Sequence, residues 1–172
     1  MNTHHRLTLL AGAAMLLATP VLAADQDDVR ALEQAKVSLT QAIDIAARQG
    51  NGVAIDAEFE EEDGRGAYEV KVLGDGTLVT YTLDAESGSV TDTENERIEQ
   101  YFTRLKPADL QNARTTLGQA IGMAEQRAGG KALDAEVERE GDHVEYEVTV
   151  ARPDGSSQEI RINGASGQVA ER

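Results

Sequence analysis

Two rhythms of hydrophobic and polar positions alternate along this chain, and the same succession occurs twice. Leu39, Ala42, Ile43 and Ala46 recur at the i, i+3, i+4, i+7 spacing that draws one apolar stripe along a helix. Ser38, followed three residues later by Gln41, has the spacing of a capping box at its start. The stretch Gln49-Gly50-Asn51-Gly52 ends it, because glycine takes left-handed backbone angles without strain. The period then drops to two. Val53, Ile55, Ala57 and Phe59 alternate with Ala54, Asp56, Glu58 and Glu60, which predicts a strand with one buried face. Tyr68, Val70 and Val72 predict a second strand, and Val79, Tyr81 and Leu83 a third. Turns are expected at Asp63-Gly64 and at Gly74-Asp75-Gly76.

Sliding the chain by 78 positions, the step from Leu39 to Leu117, superimposes this pattern on itself through Tyr68-Glu69-Val70 and Tyr146-Glu147-Val148, after which one inserted residue moves the offset to 79, the step from Asp75 to Asp154. Leu117, Ala120, Ile121 and Ala124 repeat the helical stripe, with Thr116 and Gln119 as its capping pair. Leu133, Ala135 and Val137, then Val144, Tyr146, Val148 and Val150, then Ile160 and Ile162 repeat the strands. The fold expected is α+β: two tandem units, each one helix packed on a three-stranded antiparallel sheet, joined by a helical connector. The boundaries are a lead-in helix over 24–37, a first unit over 38–92, a connector over 93–115 and a second unit over 116–172. Leu32 and Ala35 in the lead-in align with Leu110 and Ala113. In the connector, Ile98, Tyr101, Phe102 and Leu105 have helical spacing, and Lys106-Pro107 stops that helix. A unit of about 60 residues is marginal alone, so the two copies are expected to brace one another.

The first 23 residues change the picture of where the chain works. Arg6 precedes an apolar run from Leu7 to Leu17, and Val21-Leu22-Ala23 supplies small residues at a cleavage region. This is the three-part pattern of a secretory signal peptide. The run is shorter than the about 20 apolar residues a membrane span requires. Cleavage after Ala23, or else after Ala24, leaves a soluble periplasmic or secreted protein. The chain has no cysteine and three histidines, of which His4 and His5 leave with the leader and His143 remains. Thiol chemistry and multi-histidine zinc sites are thereby excluded. The formal charge of −15 disfavours nucleic acid and anionic lipid as partners.

The two units each resemble a PepSY domain. The first carries Ser38-Leu39-Thr40-Gln41-Ala42-Ile43, Tyr68-Glu69-Val70, Asp75-Gly76 and the segment Leu83-Asp84-Ala85-Glu86-Ser87-Gly88-Ser89-Val90. The second carries Thr116-Leu117-Gly118-Gln119-Ala120-Ile121, Tyr146-Glu147-Val148, Asp154-Gly155 and Ile162-Asn163-Gly164-Ala165-Ser166-Gly167-Gln168-Val169. Asn163-Gly164 stands where the family has Asp-Ala. The family occurs in propeptides of thermolysin-like metalloproteases, where it is linked to inhibition and folding, and in stand-alone exported and membrane-anchored envelope proteins. The resemblance implies a binding or regulatory module and no enzyme. It leaves the partner unnamed, with a protease or an envelope sensor as the target class.

The residues themselves agree with a non-catalytic reading. No G-x-S-x-G elbow is present, and His143 falls at a hairpin tip or strand start beside Gly141-Asp142. No catalytic, cofactor-binding or metal-ligating residue is assigned. The densest acidic run, Glu58, Glu60, Glu61, Glu62 and Asp63, reads first as a solvated face. It is also a candidate docking surface for a basic partner, or a weak calcium surface. The alternative to a protein partner is thus a small-ligand or calcium-binding module. Tyr68, Tyr81 and Tyr146 are expected in the core.

Overall fold

The computed structural model describes residues 21–23, 26–74, 76–96, 105, 109–110 and 112–169. In chain order the elements are β1 (Val21–Ala23), α1 (Gln26–Gln34), α2 (Leu39–Gly50), β2 (Val53–Glu62), β3 (Arg65–Gly74), β4 (Thr77–Asp84) and β5 (Val90–Glu96). They are followed by α3 (Leu117–Ala128), β6 (Lys131–Glu140), β7 (His143–Ala151) and β8 (Ser156–Asn163). The leader through Pro20, Ala24, Asp75 and the connector residues Ile98, Tyr101, Phe102, Lys106 and Pro107 lie outside the described residues. Leu105 is buried.

Both helix starts form as their spacing predicts. The Ser38 N–H donates to Gln41 Oε1 at 2.8 Å, and the Gln41 N–H donates back to Ser38 Oγ at 3.3 Å. Thr116 and Gln119 exchange the same two bonds at 3.0 and 3.3 Å. The ends differ. α3 closes on Gly129 at φ 74°, whereas α2 closes on Asn51 at φ 45°. Asparagine tolerates this left-handed conformation because its short polar side chain bonds locally.

The α+β class stands, but the architecture is not two separate three-stranded units. The strands form one eight-stranded sheet in the order β1-β8-β7-β6-β2-β3-β4-β5, every neighbouring pair antiparallel. β2 of the first repeat pairs with β6 of the second, so the repeats are fused edge to edge. The physical reason is that a three-stranded meander leaves its first strand with unpaired backbone groups. Two such edges satisfy each other and let two small cores become one. The first repeat also has a fourth strand. β5 runs to Glu96, so Thr93–Glu96, expected in a helical connector, is extended chain paired with β4.

Helix α2 packs on β2, β3 and β4, α3 on β6, β7 and β8, and the helices touch each other. Gly118 on α3 lies against the Thr40 methyl on α2. Beneath them sit Leu39, Ile43, Phe59, Tyr68 and Val70 from one repeat and Leu117, Ile121, Tyr146, Val148 and Ile162 from the other, all buried. The period-two reading of β2 needs one correction. A bulge between Ala54 and Asp56 shifts the phase, so Ala54 and Ile55 are both buried while Val53 is 54% exposed. The same bulge recurs in β6 between Ala132 and Asp134.

Candidate functional site, the acidic face of the sheet

Burial of Ala57 and Phe59 under the helices forces their neighbours onto the other face of the sheet, because side chains alternate along a strand. Asp56, Glu58 and Glu60 therefore face away from the helices on β2. Asp134, Glu136 and Glu138 do so on β6, flanking the buried Ala135 and Val137. The β2–β6 ladder pairs Asp56 with Glu136, Ala57 with Ala135 and Glu58 with Asp134. Four carboxylates thus meet in a square about the seam, where like charges directly opposite one another repel.

The titration behaviour follows from this geometry. Burial pushes Asp134 up to about 7, and Asp56, Glu58, Glu136 and Glu147 add repulsion. Glu58 is raised by burial first and then by Glu60 and Asp56. Glu69, next to Glu58 across the β2–β3 ladder, is raised by burial and then by Glu60. The local counter-charge is Lys71, whose ammonium sits 3.1 Å from Asp56.

A second cluster continues the face toward β8. The Arg161 guanidinium lies 2.8 Å from Glu159, 3.3 Å from Glu145 and 3.9 Å from Glu138, and pairs with Glu147. Glu147 is pushed up to about 7, by burial first and then by a hydrogen bond with Glu159. One guanidinium faces four acids there, so repulsion among the carboxylates opposes their full ionisation. Among the described residues, no group of three or more His, Asp or Glu side chains is arranged to hold a metal ion.

The acidic run seen in the sequence is divided by the fold. Glu58 and Glu60 join the acidic face, and Glu62 is exposed near the hairpin tip. Glu61 points to the helix side: its N–H donates to Asp28 of α1 at 3.0 Å, and its carboxylate accepts from the Gly64 N–H. Asp63 occupies the left-handed turn at φ 53°. Asp134, Glu136, Glu147, Glu159 and Arg161 escaped the sequence reading. The β2–β6, β6–β7 and β7–β8 pairings bring them beside Glu58; the signal that could have found Asp134 and Glu136 is the repeat itself, which places them 78 positions after Asp56 and Glu58 in another carboxylate-rich strand. His143 is half-buried, with Nδ1 3.2 Å from Asp142. The three tyrosines are in the core, and two of them anchor the chain ahead of a helix. Tyr68 donates to the Val37 carbonyl and Tyr146 to the Thr115 carbonyl. Each phenol thereby holds the residue just before a helix N-cap.

Of the region read as a cleavage site, Ala23 closes β1 and Ala24 lies outside the described residues. Among the described residues no helix is long and apolar enough to cross a membrane.

Fold and site define a tandem α+β protein with its helices on one face of a shared sheet and a carboxylate-rich surface on the other. The chain belongs to the PepSY family: the family model described as "Peptidase propeptide and YPEB domain" matches residues 36–94 and 116–172. It is 28% identical over 96 residues to the uncharacterized membrane protein YkoI of Bacillus subtilis (strain 168), a match covering 54% of this chain and 42% of that protein. The chain thus spans less than half the length of that relative. A solved lipoprotein structure from Clostridium difficile 630 superimposes on 80% of this chain and 92% of its own, at 20% identity and a TM-score of 0.47. A BLIP-like protein from Bacteroides fragilis NCTC 9343 aligns over 81% of this chain and 88% of its own, at 16% identity and a TM-score of 0.26.

Proposed function

We propose that this is an exported, non-catalytic regulatory module that binds another protein through the acidic sheet face. The target is a protease or an envelope sensor that presents a basic surface. After cleavage at Ala23 or Ala24 the module acts in the periplasm or outside the cell. The observation that carries the reading is the carboxylate square of Asp56, Glu58, Asp134 and Glu136 at the seam. A fold has no use for such a square, since the charges oppose the pairing that joins the repeats. Lysines or arginines of a partner relieve that repulsion and gain electrostatic steering. A surface that costs stability in isolation and gains on binding is the ordinary trade between stability and function.

The test is crosslinking capture by residues 25–172 in native envelope extract, followed by titration of the purified captured protein. Binding should weaken about tenfold or more when salt rises from about 50 to 500 mM. Glu58→Gln combined with Glu136→Gln should weaken it further while the unfolding midpoint holds or rises. A salt-insensitive complex, or one unchanged by the double variant, would remove the acidic face from the reading.

A further inference from the structure

The two repeats differ in what covers their last strand. In the first, one strand, β5, pairs with β4 from Leu83 to Leu78, with a single register shift between Thr82 and Leu83. In the second, the corresponding side of β8 is covered in two pieces. Val169 bridges to Ile162, as Val90 does to Leu83. The far end, Ser156–Gln158, is paired by β1, with Val21 opposite Gln158, Leu22 opposite Ser157 and Ala23 opposite Ser156. The fourth-strand position of the second repeat is therefore built to take an antiparallel strand, and here a segment from the start of the chain supplies it.

That segment is the one whose sequence marks it for removal. We propose that cleavage after Ala23 or Ala24 withdraws β1 and turns the Ser156–Gln158 edge of β8 into a strand-accepting site for an extended, uncharged segment of a partner protein. This rests on the export reading and adds to it a second contact, distinct from the acidic face.

Three observations favour this edge and this occupant. The first is the seated strand itself, which shows that the edge accepts an antiparallel neighbour in a defined register. The second is chemistry. Ser156, Ser157 and Gln158 carry no charge, and neither does the Val-Leu-Ala sequence paired with them. The third is the contrast with the opposite end of the sheet. β5 exposes Thr91 to Asn95 and carries Asp92, Glu94 and Glu96, and charged side chains of this kind keep an edge from adding strands. The molecule blocks one edge with charge and fills the other with a removable segment.

The probe is a synthetic peptide spanning Ala18–Asp25, tested against residues 25–172 and against the longer chain 19–172 that retains β1. Labelled peptide should bind 25–172 and slow amide exchange of Ser157 by about tenfold or more, because Ser156 already bonds to Asp154 and Arg152 and only the Ser157 N–H faces the incoming strand. It should bind 19–172 at least about tenfold more weakly, because the edge is already filled. Backbone N-methylation separates strand pairing from adhesion. Alternate residues of a strand point their N–H groups to opposite sides, so methylating Leu22 and methylating Val21 with Ala23 should have opposite effects. One modified peptide should lose binding and the other keep it. Equal behaviour of the two, or no protection of β8, would overturn the proposal. Dimerisation of 25–172 through the same edge would overturn the partner as occupant in favour of a second copy. An exported chain found by mass spectrometry to begin before Val21 would sink the cleavage at Ala23 or Ala24, while the peptide assay judges the edge by itself.

Discussion

Gly164 and Ala85 occupy equivalent places in the two repeats, and each is explained by what faces it. The Ala85 N–H donates to the Gly66 carbonyl, and the Gly164 N–H donates to the Val144 carbonyl. In the first repeat the small partner is Gly66, beside the large Phe59 ring. In the second, Val144 takes the room, and a Cβ on Gly164 would stand 2.5 Å from its Cγ2. The Ala-to-Gly departure from the family pattern is thus a compensated exchange of volume. Gly164→Ala should destabilise by about 1–3 kcal/mol through overpacking. Val144→Ala in that background should recover part of the loss, read as a coupling energy in a double-mutant cycle of urea unfolding. Strict additivity would show the pair to be independent. Asn163 keeps the turn despite replacing aspartate, since its Oδ1 accepts from the Ala165 and Ser166 N–H groups as Asp84 does from Ser87. Tyr146→Phe should cost about 1 kcal/mol by freeing the Thr115 carbonyl, measurable as a lower denaturation midpoint.

At the scale of elements, the seam between β2 and β6 sets the pH response. The Asp134 carboxyl holds its proton up to about pH 7 in the folded protein and loses it from the ordinary value of 3.8 when unfolded. The folded state binds the extra proton between those values, so stability falls as pH rises through that window and levels off above it. Glu147 acts in the same direction. The loss assigned to Asp134 is on the order of a few kcal/mol. Asp134→Asn should therefore raise the melting temperature by several degrees at about pH 8 and flatten the change between about pH 5 and pH 8. A variant that keeps the parental pH slope would show that Asp134 is not the group responsible. Helix α1 is tied to both repeats: Asp28 accepts from the Glu61 N–H, and Lys131 of β6 donates to the carbonyls of Leu32 and Glu33 at its C-terminal end. A cation at that end also favours the helix dipole.

For the whole molecule, the shared sheet, the α2–α3 contact and the α1 bridge make the repeats one cooperative unit. Hydrogen exchange read separately in residues 38–96 and 116–169 should give unfolding transitions that coincide with each other and with the whole-chain transition seen by circular dichroism. Ala57→Leu, at the buried centre of the seam, should lower both together. A transition in one repeat that leaves the other folded would mean that the three-pair ladder carries little of the stability.

The sequence by itself determined the repeat, both capped helices, the strand faces and the buried tyrosines, because these depend on short-range spacing and on the side of an element that must leave water. It also showed an acidic run. Which carboxylates meet was decided by tertiary structure, since Asp56 and Glu136 become neighbours through a ladder between residues 80 positions apart. The bulge that turned Val53 outward, the fourth strand β5 and the fusion of two small sheets were likewise decided there. Each answers a demand of backbone pairing, which every residue makes alike and which hydrophobic periodicity does not record.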